Sequence, residues 1–457
     1  MRIILVNPPS TVPMVRDMAG GLGFTSSSPV SSLPPLEFAW MAATLQRKGH
    51  EVKIIDPDVC GYGLAAVYEN LAEYKPEAVV CAVSLPTLYK DCSFLAGIRK
   101  YCAGRIIAKT SISYQPVLKE ILQKSAADIC VYGECELNIG ELILGSSRAG
   151  AVWLENGEIT SGGDSIIQDL DSLPLPARGL LSNDKYAYSL LGIGTTTMQT
   201  SRGCPFPCAY YCAYPLSQGR LWRRRTPEHV LREIEDIVVN HGITKILFRD
   251  ATFTMDKERA SAICDLIISR KIKIQWWCET RVDCLDESLM RKMKAAGCAG
   301  MNIGVESGDS EVMETQAKIG MTFGKLKAIR EAARALGLRL HFLLMVGLPQ
   351  ETKRSIYETY KLITELKPET IGVTIVTPYP GTPLYHEAKR KGYIETENWA
   401  DFGGHNPVMH TAGLTAGDLS FARRSLNSIF YYLQRPGLAS RFKAVMLILR
   451  LKLWALK

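Results

Sequence analysis

With 457 residues, 47% of them hydrophobic and 22% charged, the chain is too long for one small domain and can build large cores without disulfide help. A net charge of +8 is mild for this length, so no nucleic-acid partner is required. No apolar stretch approaches the ~20 residues that span a bilayer. "MRIILVNPPS" reads as a buried strand running into a loop, not as the start of an export signal. The thirteen cysteines are odd in number and mostly scattered. Without an export signal they point to free thiols in a reducing compartment, hence to the cytoplasm.

Residues 1–145 alternate strand and helix: "RIILVNPP", "EVKIIDPD", "EAVVCAVS", "GRIIAKTS" and "ADICVYGE" are short apolar runs, with helical stretches such as "PLEFAWMAATLQRKGH" between them. This predicts a doubly wound, Rossmann-like domain with ligands at the carboxyl ends of its strands. Residues 146–190 read as a hairpin around Asn156-Gly157 and an extended, proline-spaced linker, "DLDSLPLPARGLL". Across 191–395 six further strands alternate with helices, which predicts a partial (β/α)6 barrel with its site at the carboxyl ends of the strands. Residues 396–457 read as helical, and "FKAVMLILRLKLWALK" as a helix docked on the protein, not on a membrane. The fold class is therefore α/β with a helical C-terminal extension. The basic run "GRLWRRRTPE" reads as a solvated loop ahead of a helix whose N-cap is Thr226 and whose first residue is Pro227; an RNA patch is the rival reading.

"SRGCPFPCAYYCAYP" holds Cys204, Cys208 and Cys212 at even spacing. Pro205 and Pro207 break helix and push Phe206 to extended geometry, so the segment is a folded loop at the end of the first barrel strand. A structural zinc needs four ligands, and no partner pair follows at finger spacing. A disulfide would leave one thiol over. An iron–sulfur cluster held by three thiolates keeps one iron open for a ligand.

The loop resembles the cluster loop of the radical S-adenosylmethionine (SAM) superfamily. "LFRDATFT", "WWCETRVD", "IGVESGD", "GLPQET" and "TPYPGTPLY" follow the later strands in the family's order. The upstream domain and the "DLDSLPLPAR" linker resemble the cobalamin-binding type of that superfamily. The resemblance implies a [4Fe-4S] cluster on Cys204, Cys208 and Cys212, with SAM on the open iron. It implies SAM contacts from Tyr211 (Tyr210 being its rival), Arg281, Glu306 and Ser307. Asp250, Glu279 and His341 are the candidate acid–base residues.

Two departures from the family pattern shape the expected reaction. The loop has one tyrosine more than usual, and its three-three spacing is similar to that of a radical SAM diol dehydratase. This implies removal of the 3′-hydroxyl from an aminoglycoside sugar such as paromamine, through a 5′-deoxyadenosyl radical, to give a keto product in antibiotic biosynthesis. A flavodoxin- or ferredoxin-type donor and an NADPH-dependent reductase would be its partners, with no nucleic acid and no membrane. Second, Lys109, Thr110 and Ser111 stand where the family places a Gly-Gly turn against the corrin. The expectation is that cobalamin is not bound. The alternatives are a cobalamin-dependent methyltransferase and, from another class, an RNA-modifying or RNA-binding protein.

Overall fold

The computed structural model describes residues 1–10, 14–16, 24–25, 31–315 and 321–456. The chain divides into two compact units. The first comprises Met1–Pro205, Ala213–Ala251 and Ile272–Gln275; the second comprises Phe206–Cys212, Thr252–Lys271 and Trp276–Lys457.

In the first unit, β1 (Arg2–Val6), β2 (Glu51–Ile55), β3 (Ala78–Ala82), β4 (Arg105–Lys109) and β5 (Ile129–Val131) form a parallel sheet in the order β2-β1-β3-β4-β5. This is a doubly wound order. Its central strands are apolar on both faces because both are covered. Ile3, Leu5, Val80, Ile107 and Val131 pack with Phe38 of α1 (Leu36–Arg47) in one core. β6 (Ala151–Glu155) and β7 (Glu158–Ser161) add an antiparallel hairpin at the edge. Its turn places Asn156 and Gly157 at φ +54° and +81°, the positive-φ pair that an Asn-Gly hairpin turn requires.

The segment read as an extended linker is pinned. Short 3₁₀ turns occupy Leu170–Ser172 and Arg178–Leu180. Arg178 is wholly buried; it donates to Thr196 Oγ1 at 2.6 Å and to Glu233 Oε1 at 2.5 Å. β8 (Thr195–Met198) and β9 (Lys245–Phe248) pair in parallel in this unit, with α2 (Pro227–Val239) between them in sequence. Thr226 caps α2, accepting from the His229 N–H at 3.2 Å.

The basic run meets the solvated-loop expectation only in part: Arg220 and Arg224 are exposed, but the other two arginines are not. Arg223 and Arg225 are buried, and their guanidinium groups hold Glu134 and Glu233 at 2.6 Å. These two cations are internal struts and are not part of a solvated surface. The partners lie 89 and 8 residues away in sequence, where a local charge count does not reach.

In the second unit, apart from Gln275 at the start of β10, β10 (Gln275–Thr280), β11 (Cys298–Glu306), β12 (Arg339–Val346) and β13 (Thr370–Ile375) are parallel neighbours in that order. Helices α3 (Phe323–Leu336), α4 (Lys353–Leu366) and α5 (Pro383–Arg390) follow the later strands, and the C-terminal part is helical, with α6 (Ala416–Gln434) and α7 (Leu438–Ala455). The fold class is α/β with parallel sheets and a helical end, as expected. Among the described residues no helix is long and apolar enough to cross a membrane.

Candidate active site

The cysteine loop is closed at its base, where Ser201–Arg202 pairs antiparallel with Arg223–Arg224. Gly203 follows at φ +83°, and a Cβ there would lie 2.0 Å from the Leu221 carbonyl oxygen, so only glycine fits. Cys204 is buried and its N–H donates to the Gly219 carbonyl at 3.1 Å. Cys204 belongs to the first unit, Cys208 and Cys212 to the second. Pro207–Tyr210 forms a 3₁₀ turn, and the Cys212 N–H closes on the Cys208 carbonyl at 3.1 Å. None of the thirteen cysteines is disulfide-bonded. Among the described residues no three His, Cys, Asp or Glu side chains are arranged around a single metal ion.

The structure separates the two rival tyrosines. Tyr210 donates its hydroxyl to Glu387 on α5. Tyr211 is buried among Val312, Leu348, Val376, Leu384 and Met409, against Cys208 and Cys212. Burial pushes its phenol well up, and the Glu306 carboxylate adds to this. The extra residue of "CAYYC" is thus absorbed on the α5 side, and Tyr211 keeps the inward position.

Arg281, at the end of β10, is 6% exposed. Its Nε and Nη2 donate to the two Asp283 oxygens at 2.9 and 2.8 Å. Its guanidinium lies 3.7 Å from the centroid of Phe206, the residue between the two prolines. Burial works against its charge, but Asp283 more than restores it, and Cys208 contributes as well. The remaining nitrogen, Nη1, is buried without a hydrogen-bond partner. An orphaned cationic donor inside an apolar wall is costly unless a ligand accepts from it.

Glu306 ends β11 at φ +62°, next to an irregularity in the β11–β12 register. A non-glycine residue held there stores strain of the kind that collects at ligand sites. Ser307 is buried; its hydroxyl accepts from the Asp309 N–H at 3.3 Å and lies 3.4 Å from Thr359 Oγ1. Trp276 and Trp277 are both buried, with their indole N–H groups on Ala296 O and Asn302 Oδ1.

The acid–base candidates fare differently. Asp250 is fully buried, and its Oδ1 accepts from Thr200 N, Thr200 Oγ1 and Ser201 Oγ at 2.6–3.0 Å. It braces the strand that leads into the cysteine loop. Glu279 is half-buried on β10, and its carbonyl accepts from Phe253 N at 2.9 Å. His341 lies at the start of β12, paired with Thr370 at the start of β13, with Nδ1 2.7 Å from Thr370 Oγ1. The carboxyl end of β12 is five residues further on, ~16 Å at strand rise. His341 is therefore at the wrong end of the strand for catalysis, and burial lowers its pKa to about 4.

Glu351, in "GLPQET", was not among the candidates. It is 1% exposed and accepts from Gly347 N at 2.6 Å. Burial pushes its pKa up to about 8, against the Gly347 and Leu348 N–H groups that lower it. An acid raised on folding favours the native state at low pH and loses that benefit as pH climbs from 4.5 to about 8. Glu351→Gln should therefore gain thermal stability relative to the parent across that window. A parent–variant gap in melting temperature that does not change with pH would contradict this.

In the first unit a cleft opens at the carboxyl ends of β1, β3, β4 and β5, lined by Asn7, Glu37, Trp40, Lys109, Glu136 and Arg202 among others. Lys109 is 2% exposed; its ammonium holds Glu37 at 2.7 Å and donates to the Thr110 carbonyl. Glu37 Oε2 and Glu136 Oε2 are buried without hydrogen-bond partners. Burial first, then Glu136, raises Glu37 to about 7 despite Lys109.

Residues 198–363 match the family model of the radical SAM superfamily. Over this stretch the chain is similar to that superfamily, the class to which the loop and the parallel strands point. Beyond the class, the chain is 29% identical over 441 residues to an uncharacterized methyltransferase of Pyrococcus horikoshii, covering 94% of this chain and 92% of the relative. It is 25% identical over 442 residues to the anaerobic magnesium-protoporphyrin IX monomethyl ester cyclase of Cereibacter sphaeroides, covering 92% and 68%. The radical SAM methyltransferase TsrM of Kitasatospora setae, solved with cobalamin and a [4Fe-4S] cluster bound, superposes with a TM-score of 0.70 at 14% identity, covering 99% of both chains.

Two expectations are corrected by these likenesses. Diol dehydration finds no support: the relatives are a methyltransferase and a cyclase, and the alternative reading, methyl transfer, is the better supported. The expected absence of cobalamin is also overturned, since a protein of the same fold along the whole chain holds it. The bulk at 109–111 does not close the site: a cleft is open there, with Lys109 and Ser111 in its lining. Lys109, Thr110 and Ser111 are all buried, and the lysine is folded onto Glu37.

Proposed function

We propose that this chain is a cobalamin-dependent radical SAM methyltransferase. The observation that carries the reading is the presence of a β2-β1-β3-β4-β5 Rossmann-like domain and a stretch matching the radical SAM model in one chain, 99% of which is covered by its similarity to a cobalamin-bound methyltransferase. When bound, the cluster supplies an electron to SAM and the cobalamin carries the methyl group.

The residues present fit these groups. Cys204, Cys208 and Cys212 are unbridged thiols on one stiffened loop and would hold the cluster. Tyr211 supplies an apolar wall beside two of them. Arg281 has a buried N–H to give to the SAM carboxylate, and Asp283 and Phe206 fix its plane on two sides. Glu306 and Ser307 complete the SAM side. In the first unit the unpartnered oxygens of Glu37 and Glu136 can accept N–H groups from the amide side chains of a corrin.

Equilibrium dialysis of the chain with hydroxocobalamin tests the reading. Stoichiometric binding is expected; its absence would remove the methyl carrier and with it the proposal. A second test concerns SAM alone. Arg281→Ala should weaken SAM binding to the cluster-loaded chain by roughly 10- to 100-fold, the loss of one charge-assisted hydrogen bond. Arg281→Lys should recover little of it, because an ammonium cannot stack on Phe206 and fork onto Asp283 together. Unchanged SAM affinity in both variants would place the carboxylate elsewhere.

A further inference from the structure

Helix α7 is apolar on two sides. One side docks within the second unit: Ala444 and Leu451 are fully buried, and Trp454 donates to Asp418 Oδ1 at 2.8 Å and packs on Phe421 of α6. The other side has no cover among the described residues. Leu438, Phe442, Val445, Met446, Leu449, Leu453 and Leu456 are all exposed, Phe442 by 68% and Leu453 by 62%. At 3.6 residues per turn these seven fall in one stripe ~100° wide along the helix.

The charges follow the same geometry. Arg441 and Lys452 run along one edge of the stripe, and Lys443 and Arg450 along the other, where their heads lie over the Tyr432 and Phe421 rings of α6; all four are exposed. No Asp or Glu occurs anywhere between residues 435 and 456. An apolar stripe between two rows of cations, with no anion, complements a surface that is apolar below and negative at the level of the side-chain heads. Long basic side chains flanking an apolar face place their stems in the acyl boundary and their charges at the headgroups.

We propose that α7 is an interfacial anchor that seats the protein on an anionic lipid bilayer. This departs from the sequence expectation of protein docking alone, because docking uses only the Ala444–Leu451 side. It does not depend on the methyltransferase reading, and its test involves no turnover.

The test is flotation of the full chain with vesicles of phosphatidylcholine alone and of phosphatidylcholine with phosphatidylglycerol. Binding to the anionic vesicles is expected, falling as salt is raised. Arg441→Gln, Lys443→Gln, Arg450→Gln and Lys452→Gln combined should weaken it by roughly 100-fold or more. Phe442→Asp with Leu449→Asp should abolish it, with an unchanged melting temperature because both positions are exposed. The quadruple variant alters no buried residue, so it carries the test should the aspartate pair unfold the helix. Failure to float on anionic vesicles at low salt would overturn the proposal. So would equal binding of parent and quadruple variant, or a dimer in solution that the aspartate pair splits, since a second copy would then be the occupant.

Discussion

Replacing Cys204, Cys208 and Cys212 together with alanine should take the anaerobically reconstituted chain from about four irons to none, and SAM cleavage with them. Each single substitution should abolish cleavage, since it leaves a four-iron cluster held by two thiolates in place of the three that leave a single iron open. The contrast with the most deeply buried cysteines outside the loop makes the prediction specific. Thiolates are the ligands, and burial opposes their formation. Burial pushes the Cys92 thiol up to about 12, and those of Cys130 and Cys264 up as well. Cys264→Ala should therefore keep the full iron content. A triple variant with parental iron and an unchanged visible spectrum would refute the assignment.

The second large effect is on stability. Glu233 is fully buried between Arg178 and Arg225, at 2.5 and 2.6 Å. Both guanidinium groups are at most 2% exposed. Glu233→Ala strands two buried cations, and breaking a buried pair from one side costs ~3–5 kcal/mol. In a unit of this size that is a fall in melting temperature on the order of 10 °C. Glu233→Gln keeps the acceptor oxygen but loses the charge, and should fall between parent and alanine variant. Calorimetry on the three proteins measures this; an alanine variant that melts with the parent would show the ion pairs to be dispensable. The same result in either direction bears on the basic run, because Arg225 is one of its arginines.

Much of the fold is legible in the sequence because its signals are local. Five apolar runs mark the first sheet, Asn156-Gly157 marks the hairpin, and Thr226-Pro227 marks a helix start. The cysteine loop is legible for the same reason: its three thiols and two prolines lie within nine residues. What escapes is the pairing of residues far apart in the chain. Arg223 with Glu134, Arg178 with Glu233 and Phe206 with Arg281 are separated by 89, 55 and 75 positions. No charge run or motif announces them. Side-chain direction escapes too. Lys109 is bulky in the sequence, but its ammonium is turned onto Glu37. The extra tyrosine suggests altered chemistry, but Tyr210 is spent on Glu387. Reaction type is not legible in the loop either: its three-three spacing suggests a dehydratase, and the relatives are a methyltransferase and a cyclase.

The most direct measurement is of the SAM products formed by the reduced chain loaded with cluster and cobalamin. Methyl transfer predicts S-adenosylhomocysteine, about one equivalent per chain without a methyl acceptor, and none when cobalamin is withheld. Release of 5′-deoxyadenosine and methionine alone, with S-adenosylhomocysteine at background whether or not cobalamin is bound, would contradict the account.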